Sequence, residues 1–190
     1  MKKWIPLAVI GGIVLILVLF GVSRYNALVT ANERVDGAWA NVESKLQRRL
    51  DLIPNLVETV KGFAAQEKEV FTSIAEARAK LAGAQTPDQE VAAHNELSSA
   101  LSRLLVVVER YPELKSNQNF IRLQDELAGT ENRISVERDR YNEAVTEFNS
   151  MIKRFPNNIF AGIAGLDERE QFKAEAAAKE APKVDFGTGK

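Results

Sequence analysis

The sequence has no cysteine. That excludes a disulfide framework, a thiolate metal site and a cysteine nucleophile. Histidine occurs once, at His94. One histidine cannot supply the paired Glu-x-x-His motifs of a di-iron bundle or the His-Glu-x-x-His of a zincin. Neither a Gly-x-Ser-x-Gly elbow nor a phosphate-cradling glycine loop is present, and the glycines of the FAGIAG stretch lie among apolar residues with no strand before them. The charge is balanced, with 25 basic and 26 acidic residues and a net charge of −1. A duplex-binding domain usually carries a basic excess, so no nucleic-acid partner is expected. Six prolines in 190 residues leave room for long helices. No catalytic, cofactor or metal residue is assigned and no enzymatic activity is expected; His94 is read as a surface or helix-flank residue.

What is present begins with WIPLAVIGGIVLILVLFGV, Trp4 to Val22, without a charge. As a helix this run covers about 28 Å, near the bilayer core of about 30 Å. It is read as a single-pass transmembrane helix. The rival is a cleaved signal peptide, whose apolar region is normally shorter; Gly21-Val22-Ser23 is a poor cleavage site. Lys2 and Lys3 precede the run, and Arg24 and Arg34 follow it among Glu33 and Asp36. The charge bias leans toward an external soluble domain on the inner cell membrane and leaves the side open.

Beyond the anchor, apolar residues recur at heptad spacing. Leu28, Val35 and Val42 interleave with Trp39, Leu46 and Ile53 on a first amphipathic helix that continues unbroken from the anchor unless Gly21 bends it. Pro54 is expected to end that helix or start the next, with Asp51 as the cap. The second seam is Leu56, Phe63, Val70 and Ala77 with Val60, Glu67, Ile74 and Leu81, stopping at Gly83. Thr86-Pro87-Asp88-Gln89 reads as a capping box opening a third helix that carries Leu97, Leu101, Leu104 and Val108. A fourth helix, expected to be the longest, starts near Asn117 and carries Phe120, Leu127, Ile134, Tyr141, Phe148 and Phe155. The fold class is therefore all-α: a transmembrane helix followed by an antiparallel bundle of long helices with four-helix, coiled-coil-like packing. The expected organisation is an anchor over 1–24, a bundle over 25–166 and a polar, partly flexible tail over 167–190. Residues 159–166 are expected to fold back on the bundle, the alternative being contact with a membrane surface. Phe172 to Lys179 is helix-prone, and Pro182 to Lys190 reads as a tail. The first and fourth helices are expected to project beyond the others and expose part of their stripes.

The stretch YNALVTANERVDGAWANVESKLQRRLDLIPNLVETVKGFAAQE, residues 25 to 67, resembles the opening of the LemA family. YNEAVTEFNSMIKRFPNNIFAGIAG and the closing APKVDF resemble that family's C-terminal half. The resemblance implies a bacterial, membrane-bound helical bundle and carries over no catalytic residues. Gln66 stands where the family pattern leads one to expect histidine, which weakens any metal or proton chemistry there.

Two constellations of charge stand out. Glu67, Arg49 and Arg138 occupy seam positions; they either lie at exposed seam ends with their stems on apolar surface, or Glu67 and Arg138 form a buried ion pair that fixes helix register. Arg48, Arg49 and Asp51 are expected to gather at a helix end, where dipole and capping explain them locally and a partner-binding tip is the functional alternative. The expected partners are the lipid bilayer, a second copy of the chain and an unidentified protein. The expected role is a membrane-anchored, self-associating scaffold; the alternative is an adaptor or sensor recruiting a protein through the Arg48–Asp51 tip or the C-terminal tail.

Overall fold

A computed structural model of the protein describes residues 4–172, with side chains from residue 9 onward. The described residues form six helices and no strand. They are α1 (Trp4–Ala64), α2 (Lys68–Ala82), α3 (Pro87–Val108), α4 (Pro112–Lys115), α5 (Gln118–Lys153) and α6 (Asn157–Ala164). The all-α class and the bundle hold. The expected helix-rich stretch Phe172 to Lys179, apart from Phe172, and the tail at 182–190 lie outside the described residues.

Contrary to expectation, Pro54 neither ends nor starts a helix. It sits inside α1, a single helix of 61 residues and the longest among the described residues, where α5 was expected to be. An interior proline costs about 3 kcal/mol. Against it stand Leu50, Leu52, Ile53, Leu56 and Val60, all buried around the exposed proline. Each such side chain contributes about 1.5–3 kcal/mol on burial, so the seam outweighs the break. The chain turns instead after Ala64, where no strong breaker stands. That turn is held by Tyr111, whose hydroxyl accepts from Gln66 Nε2 at 2.6 Å and donates to Glu67 Oε1 at 3.2 Å.

Other boundaries follow the expected chemistry. Thr86 Oγ1 accepts from Gln89 N, and the Gln89 side chain reaches back to Gln85 N rather than to the cap residue itself. Asn117 Oδ1 accepts from the backbone of Asn119 and Phe120 and opens α5. Gly165 ends α6 at φ +65°, a left-handed conformation that glycine adopts without strain.

Cross-helix pairs give the topology. Arg34–Glu147 and Arg48–Glu126 run α5 antiparallel to α1. Lys80–Glu96 and Arg103–Ser73 set α3 antiparallel to α2. Arg49–His94 and Gln66–Tyr111 set α3 parallel to α1. The order is thus up, down, up, down, with α1 and α5 extending below α2 and α3 toward the apolar N-terminal run.

This unevenness divides the core in two. The distal core joins α1, α2, α3, α4 and the start of α5 around Ile53, Leu56, Leu97, Leu104 and Phe120. The proximal core joins Leu28, Val35, Val42 and Leu46 of α1 to Ile134, Tyr141, Val145, Phe148 and Ile152 of α5. The projecting stripes expected to be exposed are covered. Residues 159–166 fold back as expected: Ala161 is buried in the proximal core, with Phe160 and Leu166 against it. The rest of the cover is the segment 167–172. Phe155, expected on the stripe, lies instead in the connection to α6, 81% exposed.

Candidate functional site

Between the two cores lies a buried polar cluster. Arg49 comes from α1, His94 and Ser98 from α3, Glu131 and Arg138 from α5. Arg49 is 6% exposed and His94 1%. Arg49 Nη1 lies 2.5 Å from Glu131 Oε2, donates to Ser98 Oγ at 3.0 Å and abuts His94 Nε2. His94 Nε2 is 3.4 Å from the same Glu131 oxygen, and its Nδ1 is 3.5 Å from Arg138 Nη2. Nε2 thus faces the Arg49 guanidinium and the Glu131 carboxylate together, and Nδ1 faces Arg138. The His94 hydrogen bond holds the Glu131 carboxyl below its ordinary range, with burial opposing and Arg49 assisting. Burial lowers the Arg49 guanidinium, which Glu131 counteracts and Arg138 reinforces. Beside the cluster opens a notch of about 370 Å³ between Arg49, Ser98, Glu131 and the apolar Leu56, Leu101 and Leu127.

The cluster's chemistry points to cross-linking. Ser98 Oγ donates to the carbonyl of His94, so its hydrogen is not directed at the imidazole. Among the described residues no group of three or more metal-ligating side chains comes together. What the cluster does is tie three helices at the level where the two cores meet.

Several sequence expectations change here. His94 is not a surface residue: it stands three residues before Leu97 and seven before Leu101, on the α3 seam. Arg48, Arg49 and Asp51 do not form a tip, because α1 continues through them. Arg48 is exposed and paired with Glu126, Arg49 is buried, and Asp51 accepts from Gln47 at 2.9 Å. Glu67 and Arg138 are not brought together. Glu67 pairs with Arg110 at 3.0 Å in the α1–α2 turn, while Arg138 lies over the Phe172 ring at 4.5 Å. The antiparallel register sets Arg138 opposite the low forties of α1, roughly 35 Å along the axis from Glu67. The charge pair on the seam is Arg49–Glu131, with Arg49 buried and Glu131 half-exposed. Glu131 stands one heptad before Arg138, which is the signal that would have found it.

The second feature is a strap. The residues after α6 run extended along α5, held by asparagines one heptad apart. Asn149 Oδ1 accepts from Arg169 N at 2.9 Å while its Nδ2 donates to Arg169 O at 2.8 Å. Asn142 Oδ1 accepts from Phe172 N at 2.7 Å while its Nδ2 donates to Phe172 O at 3.2 Å. Each amide thus satisfies one residue's backbone donor and acceptor, as a neighbouring strand would. Tyr141 Oη donates to Glu170 O, and Arg169 reaches Asp36 and Asn32 of α1. Phe172 stacks on Trp39 with centroids 5.4 Å apart and meets Tyr141 edge-on at 5.9 Å. The start of the expected tail, 167–172, is therefore docked.

Together these features define a class: a cross-tied helical bundle growing from a helix whose N-terminal part is long and apolar enough to cross a bilayer. The LemA family profile matches residues 38–186, and the chain belongs to the LemA family. It is similar to Magnetosome protein MamQ 2 of Paramagnetospirillum magneticum, 29% identical over 180 residues that cover 81% of this chain and 66% of that protein. It is also similar to Magnetosome protein MamQ of Magnetospirillum gryphiswaldense at 27% identity, with the same coverage. Protein LemA of Metamycoplasma hominis is 25% identical, covering 88% of this chain and 75% of that protein. The chain spans 66% of the length of the magnetosome relatives, just under two thirds.

Proposed function

We propose that the protein is a non-enzymatic membrane scaffold that holds a cross-tied helical bundle at a fixed height above the bilayer and self-associates there. The observation that carries this reading is the continuity of α1, one helix from Trp4 to Ala64. From Val22 to Ala64 it reaches about 60 Å beyond the apolar run. The Arg49 cluster supports the same role, because a buried guanidinium that must meet its carboxylate favours one helix register over others. The names of the magnetosome relatives fit a part in an assembled structure. The proximal stripes of α1 and α5 are covered within the chain, and the lipid-facing span and the exposed Leu105 and Val106 of α3 are among the apolar surfaces open to a second copy. Crosslinking in native membranes tests this: dimers and higher species are expected, and a product that stays monomeric removes self-association.

A second reading, an adaptor, is favoured by the asparagine-lined groove. A groove that holds one extended backbone offers the same bonds to another peptide. It predicts that a peptide spanning residues 167–172 binds a chain whose own strap is loosened by Phe172→Ala, which leaves Asn142 and Asn149 in place.

A further inference from the structure

We infer that α6 and the connection before it form a foot that rests in the headgroup region of the bilayer. The occupant of this apolar face is a phospholipid surface.

Three large side chains face outward where burial would be expected of them. Phe155 is 81% exposed, Ile159 53% and Ile163 76%. Ile159 and Ile163 are four apart and share one face of α6. The opposite face is packed: Ala161 is buried, and Phe160 and Leu166 lie against the proximal core. The helix is thus apolar on its outward face as well as on its packed one, which solvent alone does not explain.

Its position supplies the occupant. Phe160 sits on Gly21: a Cβ there would lie 3.3 Å from the ring. Gly21 is next to last in the uncharged run Trp4–Val22. The exposed face of α6 is therefore level with the end of the span and continuous with its lipid-facing surface. Arg24, one turn further along α1, has its guanidinium 4.9 Å from the Phe20 ring, and Arg154 is exposed next to Phe155. Cations at that height suit lipid phosphates, and apolar side chains beside them reach the acyl boundary. The consequence is mechanical. A helix that only pierces the bilayer is free to tilt and rotate, whereas a helix with a lateral foot is fixed in both. The inference rests on the membrane-anchored reading of α1.

Because the chain has no cysteine, single labels are unambiguous. Ile163→Cys, Leu15→Cys and Val106→Cys, each carrying an environment-sensitive fluorophore, are reconstituted as full chains in phosphatidylcholine–phosphatidylglycerol vesicles. Nitroxide lipids quench at shallow or deep positions, and iodide quenches from water. The foot predicts that the label at 163 loses roughly half its emission to shallow nitroxide and is largely shielded from iodide. Quenching by iodide as complete as at 106 overturns it. A label at 163 shielded from both quenchers also overturns it, in favour of coverage by a second copy. The label at 15 reports the anchor separately: quenching there by deep nitroxide with none at 163 sinks the foot alone, and no quenching at 15 sinks both.

Discussion

Replacing Glu131 with glutamine tests the cross-tie between the cores. The substitution keeps the shape and an acceptor but removes the charge against Arg49, which is 6% exposed and 2.5 Å from Glu131 Oε2. Breaking a buried ion pair from one side costs about 3–5 kcal/mol. The Glu131 side chain is 42% exposed, so water reaches it and takes up part of the loss. With the retained amide oxygen, about 2 kcal/mol of destabilisation is expected. At about 2–4 °C per kcal/mol for a domain of this size, Tm falls by about 4–8 °C. The depressed carboxyl of Glu131 adds a sign: its contribution is present above the ordinary carboxylate range and disappears as pH falls through the folded value. Glu131→Gln is therefore most different from wild type near neutral pH. Arg49→Met combined with Glu131→Gln removes both charges and is expected to recover most of the loss. The assay is thermal unfolding of the full chain in detergent, followed by circular dichroism. If Glu131→Gln melts with wild type, or the double variant is the sum of two independent losses, the cross-tie reasoning is wrong.

Three further outcomes follow from particular contacts. Asn149→Ala removes both backbone bonds to Arg169 and should raise tryptic cleavage at Arg169 about tenfold, with an unchanged rate counting against the strap. Glu90 is pushed up to about 7 by burial and by Glu43, so its protonation favours the folded state in full below the usual carboxylate value and the benefit is lost as pH rises through 7. Glu90→Gln should flatten that dependence and stabilise the protein by about 1 kcal/mol near pH 8, discounted for solvent exposure; denaturant titrations at several pH values check it. Pro54→Ala should stabilise by about 1–3 kcal/mol in the same titrations, because it restores an interior helix bond at an exposed position.

Heptad spacing is enough to read the long helices as helices, though not where they end, because a buried stripe repeats with the turn of the helix whatever its neighbours are. Leu28, Val35 and Val42 were legible on that ground, as were Thr86 and Asn117 as caps. Pro54 misled because its local cost is fixed while the opposing gain depends on tertiary burial. The two candidate features were harder to see for a related reason. Arg49, His94 and Glu131 are seam residues on three helices, and nothing in one helix shows that their polar atoms meet. Arg138 shares its face of α5 with Glu131 and lies far from Glu67, because spacing gives the face of a helix and not its register against another. The strap follows no periodicity of its own; its only trace is the heptad interval between Asn142 and Asn149.

The central claim is that α1 crosses from lipid to bundle as one stiff helix. The most direct measurement is a pulsed electron-spin distance between labels at Ile16 and Ser44, both exposed positions on α1, in reconstituted vesicles. One continuous helix requires a single narrow distribution centred near about 42 Å. A broad distribution, or a centre well short of that value from bending at Gly21, contradicts it.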